Sequence, residues 1–288
     1  MLDQAETLRQ LMQSNKSKTK IITITSGKGG VGKTNISANL ALAYAKLGKK
    51  VIIIDADLGL ANLNIVLGII PQYNLTHLLD KKKTLKEVLT DTKYGVQILA
   101  GGIGISKMLD LKDKELTYFM KELYTLSYAD LIIIDTGAGI SNNVLSFVLA
   151  ADYSIVVTTP EPTALTDAYG LIKIVSNSKS DNKLYLLTNR AKTLKEGKEI
   201  ADTLINTSRQ FLNMDIEYLG SILEDSNIGQ SVLKQKPFYH LNPNSKASIC
   251  LNQIVVNIEN IINNKDILDQ NDNSIANFIK RLFLKIKE

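Results

Sequence analysis

The sequence predicts an α/β protein built as a doubly wound, mostly parallel sheet with helices on both faces. Three observations carry this expectation. Continuous apolar runs recur along the chain, helix-period stretches separate them, and a glycine-rich loop joins the first run to the first helix. Apolar runs without polar alternation are typical of strands buried on both faces of a parallel sheet. Their alternation with helices implies right-handed crossovers between parallel strands.

The elements follow in order. Residues 21–25 form the first apolar run, and residues 26–34 read Ser-Gly-Lys-Gly-Gly-Val-Gly-Lys-Thr before a helical stretch at 35–47. Residues 50–55 are a second run that ends in a carboxylate. Similar runs follow at 95–100, 130–135, 153–159 and 183–189, with a weaker one at 218–223. Helical patterns occupy 113–128, 142–150, 161–178, 193–213 and 245–263. No internal repeat or Pro/Gly-rich linker interrupts 20–263, so one domain is expected there. Residues 1–19 form a separate N-terminal segment with a short amphipathic pattern. Residues 264–273, rich in Asn and Asp, read as a polar linker, and 274–288 as an amphipathic helix.

Composition bounds the function. The chain has 288 residues, 44% of them hydrophobic and 22% charged, ordinary values for a globular protein. Its single cysteine, Cys250, allows no intrachain disulfide and no cysteine-only metal site. The N-terminus lacks a secretory pattern, and no run reaches the roughly 18 apolar residues of a membrane span, so a cytoplasmic protein is expected. The net charge is +5, of which residues 274–288 hold +3. A protein gripping nucleic acid spreads its cations over a face, so no direct nucleic-acid contact is expected.

The loop at 26–34 lies between a strand and a helix, the context that marks a phosphate-binding site. Gly27, Gly29, Gly30 and Gly32, with Val31 between them, let backbone N–H groups turn toward a phosphate chain. The helix start adds its positive end. Lys33 suits the β- and γ-phosphates, and Thr34 suits Mg²⁺. Lys28 is surplus to such a loop. Asp55 and Asp135 end two strands on the ligand side of the sheet, where Mg²⁺ takes one or two carboxylates beside phosphates. Asp57, two residues past Asp55, could reach a water in line with the γ-phosphate.

The segments KGGVGKT, DADLGLAN and DTGAGI resemble the deviant Walker A ATPases of the MinD/ParA family, over about residues 20–240. The resemblance implies ATP and Mg²⁺ as ligands and slow, dimerisation-dependent ATP hydrolysis. It implies a homodimer in the ATP state, with Lys28 crossing to the partner's nucleotide and Asp57 positioning the hydrolytic water. Asn189 and Arg190 match an Asn-Arg pair whose amide reads adenine. Asn64 departs from the family's GLANLD pattern, which puts interface detail there in doubt and leaves hydrolysis untouched.

Within the family, the absence of paired cysteines argues against the iron–sulfur branches. The N-terminal run containing Asp3, Gln4, Leu8 and Arg9 is similar to the DQAxxLR signature of the flagellar FlhG branch. Thr159-Pro160-Glu161-Pro162-Thr163 and residues 167–170 are similar to that branch too. This implies regulation of flagellar number and placement, stimulation of an FlhF-like SRP-type GTPase, and contact with flagellar basal-body proteins or a flagellar transcription regulator. At the other end, Ile275, Phe278, Ile279, Leu282, Phe283 and Ile286 form an apolar stripe. Lys280, Arg281, Lys285 and Lys287 take other positions, the pattern of a helix lying on anionic lipid at the inner face of the cell membrane. Two such helices on a dimer could gain about 10²–10⁴ in avidity. Other readings are a division-site MinD, a ParA-like DNA-binding positioning ATPase, and a nucleotide-binding scaffold without useful turnover. His77 and His240 have no ligand spacing and read as surface or core residues. Residues 101–104, glycine-rich without a following cation, read as a loop.

Overall fold

Every strand expected from an apolar run forms, and the covered faces explain why none of them needs polar alternation. The computed structural model describes residues 19–57, 62–102, 104–109, 111, 113–178, 183–268 and 274–284. The first half runs β1 (Lys20–Ser26), α1 (Lys33–Lys46), β2 (Val51–Ala56), α2 (Asn62–Leu67), α3 (Leu75–Leu79) and α4 (Leu85–Val88). It continues with β3 (Thr90–Asp91), β4 (Val96–Ala100), α5 (Gly104–Leu109) and α6 (Asp113–Tyr124). Then come β5 (Leu131–Ala138), α7 (Asn142–Ala150), β6 (Tyr153–Thr158), α8 (Pro162–Asn177), β7 (Leu184–Ala191) and α9 (Leu194–Leu212). The chain closes with β8 (Ile216–Leu223), α10 (Ser226–Leu233), α11 (Phe238–Leu241), α12 (Lys246–Leu268) and α13 (Ser274–Leu284).

The strands form one sheet in the order β3-β4-β2-β5-β1-β6-β7-β8, parallel throughout except for the edge strand β3. Successive residues of a strand therefore serve opposite layers. Val51 and Ile53 join the core under α1, α11 and α12, while Ile52 and Ile54 join the core under α3 to α7. A third cluster lies beneath α7, α8 and α9. β1 sits between β5 and β6, so its loop and the ends of β2 and β5 emerge together at the middle of the sheet. Ligands of open α/β sheets bind at such carboxyl ends.

The C-terminal region departs from the expectation in two respects. α12 runs on to Leu268, into the stretch read as a polar linker. Extending a helix already anchored on the core adds one hydrogen bond per residue and needs no new nucleus, which offsets an unfavourable composition. In α13, Ile275, Phe278, Ile279, Leu282 and Phe283, the stripe read as membrane-facing, are buried against the domain. The helix lies on α7, α6 and β1. Phe283 meets Phe119 of α6 edge to face, with ring centroids 6.1 Å apart. Burial of each such side chain contributes roughly 1.5–3 kcal/mol relative to exposure, and in water the groove is the available apolar surface. Lys280 and Arg281 stay exposed. Lys285, Ile286 and Lys287 lie outside the described residues, as do 1–18. Among the described residues no helix is long and apolar enough to cross a membrane.

Candidate nucleotide site

The loop after β1 turns sharply because two of its glycines take left-handed backbone conformations, Gly30 at φ 77° and Gly32 at φ 97°. Gly27 is fixed by proximity instead. A Cβ there would stand 2.0 Å from the Asp167 carbonyl oxygen of α8, so the loop can lie against that helix only without a side chain. Gly32 is likewise closed, with Asn189 Nδ2 2.4 Å from where its Cβ would be.

Three buried charges converge beneath this loop. Asp55 and Asp135 are register partners on β2 and β5, both about 1% exposed. Ser37 of α1 donates to Asp135 Oδ1 at 2.9 Å, and Lys33 Nζ donates to Ser26 Oγ at 2.9 Å. Burial pushes the Asp55 carboxyl up to about 7, with the nearby Asp135 charge adding to the rise. Burial also raises Asp135, to about 6, against the opposing hydrogen bonds of Thr34 and Ser37. Lys33 is lowered by burial, although Asp135 and Asp57 pull it back toward its ionised form. Asp57 lies against the carboxyl end of β5. A Cβ on Gly137 would be 3.3 Å from Asp57 Oδ1, and the Asp57 N–H donates to Asp55 Oδ1 at 3.2 Å.

Asp55 Oδ2 is buried with no donor among the described residues. A fixed, dehydrated carboxylate oxygen beside a second carboxylate and the Thr34 hydroxyl fits Mg²⁺, which favours a few carboxylates or hydroxyls beside phosphates over a full protein cage. Such an ion would supply charge to offset phosphate oxygens. Asp55, Asp135 and Thr34 are the residues that would hold it.

A cleft of about 390 Å³ opens beside the loop, walled by Asn35, Ile36, Asn189, Ile222, Ile228 and Phe238 among others. Its apolar walls and few polar edges suit a flat heteroaromatic base. Asn35 Oδ1, also buried without a donor among the described residues, lies in this wall and went unnoticed in the sequence. Asn189 has a task beyond the one the resemblance implied. Its amide nitrogen donates to the Val31 carbonyl at 2.7 Å, and the Arg190 guanidinium donates to the Gly30 carbonyl at 2.8 Å. The pair braces the phosphate loop from β7.

Lys28 stands apart from this cluster. Its ammonium group is 2.8 Å from Glu161 Oε2 and 2.6 Å from Thr163 Oγ1, at the start of α8. The lysine holds the Glu161 carboxyl below its usual range. Glu161 and Thr163 are site residues that sequence reasoning did not place; their motif was visible, but nothing local ties it to a loop 133 positions away. The N-terminal candidates Asp3, Gln4, Leu8 and Arg9 fall outside the described residues. His77 caps α3 with Asn74, and His240 packs on Tyr94, so neither joins the site.

A phosphate-binding loop on β1, two strand-end carboxylates beneath it and a base-sized cleft alongside define a P-loop nucleotide hydrolase. A family model described as ParA, NUBPL iron-transfer P-loop NTPase, matches residues 17–259. The chain belongs to the MinD/ParA family of P-loop ATPases. It is similar to the antiactivator FleN of Pseudomonas aeruginosa, 36% identical over 83% of this chain and 86% of that protein. It is also similar to the flagellum site-determining protein YlxH of Helicobacter pylori, 38% identical over 88% of this chain and 89% of that one. Among solved structures, the Mg-ADP complex of MinD from Pyrococcus horikoshii superposes with a TM-score of 0.68 at 28% identity, covering 84% of this chain and 97% of that one.

Proposed function

We propose that this ATPase regulates flagellar number and placement by coupling Mg-ATP-dependent dimerisation to reversible binding at the inner face of the cell membrane. The observation that carries the dimer is the division of labour between two lysines of one loop. Lys33 is buried under the loop, where it can neutralise phosphate in its own subunit. Lys28 is held at the surface by Glu161 and Thr163, where it can reach a partner's nucleotide once released. The flagellar assignment is supported by the similarity to FleN and YlxH.

Each residue then has a task. The loop N–H groups and Lys33 bind the phosphates, and Asn189 and Arg190 hold the loop shape that presents them. Thr34, Asp55 and Asp135 hold the ion. Asp57, at the rim, orients the attacking water and limits hydrolysis to the assembled dimer. Residues 1–19 act on an FlhF-like GTPase, and residues 274–288 bind anionic lipid after leaving the groove in which α13 now lies. Basal-body proteins or a flagellar transcription regulator are further partners.

Light scattering after size exclusion, with ATP and Mg²⁺, tests the central step. The wild-type chain should run as a dimer, and Lys28→Ala should bind ATP yet stay monomeric. A Lys28→Ala chain that dimerises like wild type would overturn the two-lysine model. A peptide of residues 1–13 should raise FlhF GTPase turnover; no change would remove the flagellar assignment's link to that GTPase.

A further inference from the structure

Two short stretches account for the chain's entire formal charge of +5: residues 274–288 at +3 and residues 80–87 at +2. The second reads Asp-Lys-Lys-Lys-Thr-Leu-Lys-Glu and runs from the end of α3 into α4. We infer that this lysine loop is a second contact surface for an anionic bilayer, acting beside the C-terminal helix. The inference rests on the membrane reading proposed above.

Three observations support it. The loop is fixed in place, since the Leu85 N–H donates to Glu122 Oε2 of α6 at 2.8 Å. Its lysines spread outward from that anchor, with Lys81, Lys82 and Lys86 exposed. Lys81 adopts a left-handed backbone at φ 56°, a conformation that costs a non-glycine residue energy and that persists where the surroundings enforce it.

The second observation is the company the cations keep. Lys83 lies 4.5 Å over the Tyr73 ring and Lys81 5.4 Å over the Tyr118 ring, while Asp80 and Glu87 offset part of the charge. Amphipathic rings beside lysines are the composition of a membrane–water boundary. The third is position. Tyr118 and Phe119 are consecutive in α6; Lys81 covers the first and Phe283 of the tail meets the second. The basic loop and the docked tail therefore flank one helix, so a tail leaving its groove emerges beside the basic loop.

A bilayer accounts for these features better than nucleic acid does. The remainder of the chain has no net charge with which to track a phosphate backbone, and the tail helix carries an apolar stripe. Four lysines within a Debye length of an anionic leaflet would add to the tail's own attraction and orient the domain on the membrane.

The test is sedimentation of the full chain with ATP and Mg²⁺ on phosphatidylcholine vesicles, with and without phosphatidylglycerol, at 0.1 M salt. K81Q/K82Q/K86Q should bind the anionic vesicles roughly 10- to 100-fold more weakly than wild type. Its ATP hydrolysis without vesicles should be unchanged, and K81R/K82R/K86R should bind like wild type. If the glutamine variant binds as tightly as the wild-type chain, the loop is no contact surface, while the tail reading stands. If the wild-type chain itself does not sediment, the membrane reading fails and this inference with it. If the glutamine variant loses binding to non-specific DNA and keeps its vesicle binding, the loop belongs to a nucleic-acid surface and the inference is overturned.

Discussion

The nucleotide end and the tail groove are both buried, yet burial acts on them in opposite senses. Beneath the phosphate loop, burial encloses Lys33, Asp55 and Asp135, and it raises both carboxyls while lowering the lysine. Those groups are dehydrated before any ligand arrives, so the site is poised for a cation and a phosphate chain. Beneath α13, burial encloses Ile275, Phe278, Ile279, Leu282 and Phe283, with the buried Asp152 carboxylate beside Arg281 as its charged neighbour. That groove is filled in water without any ligand. Buried charge is stabilised by an added counter-charge, whereas a buried apolar stripe is stable in water as it stands.

The largest effect tests the charged end. Lys33→Ala removes the cation proposed to meet phosphate, and it should lower kcat/KM for ATP by roughly 10²–10³-fold, about 3–4 kcal/mol of transition-state stabilisation. Phosphate release under steady-state conditions measures this. A loss of less than threefold would show that the buried lysine is structural.

The next effect concerns stability and pH. Asp55 has its pKa raised from 3.8 to about 7 in the folded chain without ligand. A raised carboxyl favours folding below its unfolded pKa, near 4, and that contribution is lost as pH rises through about 7. Asp55→Asn should therefore stabilise the nucleotide-free protein at pH 8, by roughly 2–4 kcal/mol, and change little at pH 4, the lower edge of the window. Urea midpoints at the two pH values give the answer. With Mg²⁺ and ATP present the order should reverse, because the variant forfeits the ligand's stabilisation. Equal midpoints at both pH values would mean that Asp55 carries no desolvation strain.

These two ends also differ in how legible they were. Strands β2, β4, β5, β6 and β7 were readable because both sheet faces are covered and their central positions are mostly apolar. The P-loop and the strand-end carboxylates were readable because their spacing is local. β3 was not, being a two-residue edge strand, and neither were the short helices α2 to α5. The Lys28–Glu161 pairing depends on α8 lying against Gly27, a contact that only the folded sheet creates. The fate of the tail was illegible for another reason. An amphipathic stripe has one pattern whether its apolar side meets lipid or a protein groove, and only the shape formed by α6, α7 and β1 decides between them.

The smallest effect tests the groove and thereby the contrast itself. Arg281 Nη1 lies 3.7 Å from Asp152 Oδ1, with the arginine side chain 45% exposed and the aspartate 3%. Solvent screens an exposed guanidinium at that distance, so Arg281→Ala should cost less than about 1 kcal/mol. Asp152 is not stranded by the change, because its other oxygen accepts the Ile21 N–H at 2.9 Å. Leu282→Ala removes buried apolar volume and should cost roughly 2–5 kcal/mol, capped by the free energy of docking, since the helix can leave the groove once the cost exceeds it. Hydrogen exchange over residues 274–284 separates the two, with strong deprotection in Leu282→Ala and little in Arg281→Ala. If the arginine variant opens the helix as fully as the leucine variant, the groove is held by charge, and the tail end would obey the same physics as the nucleotide end.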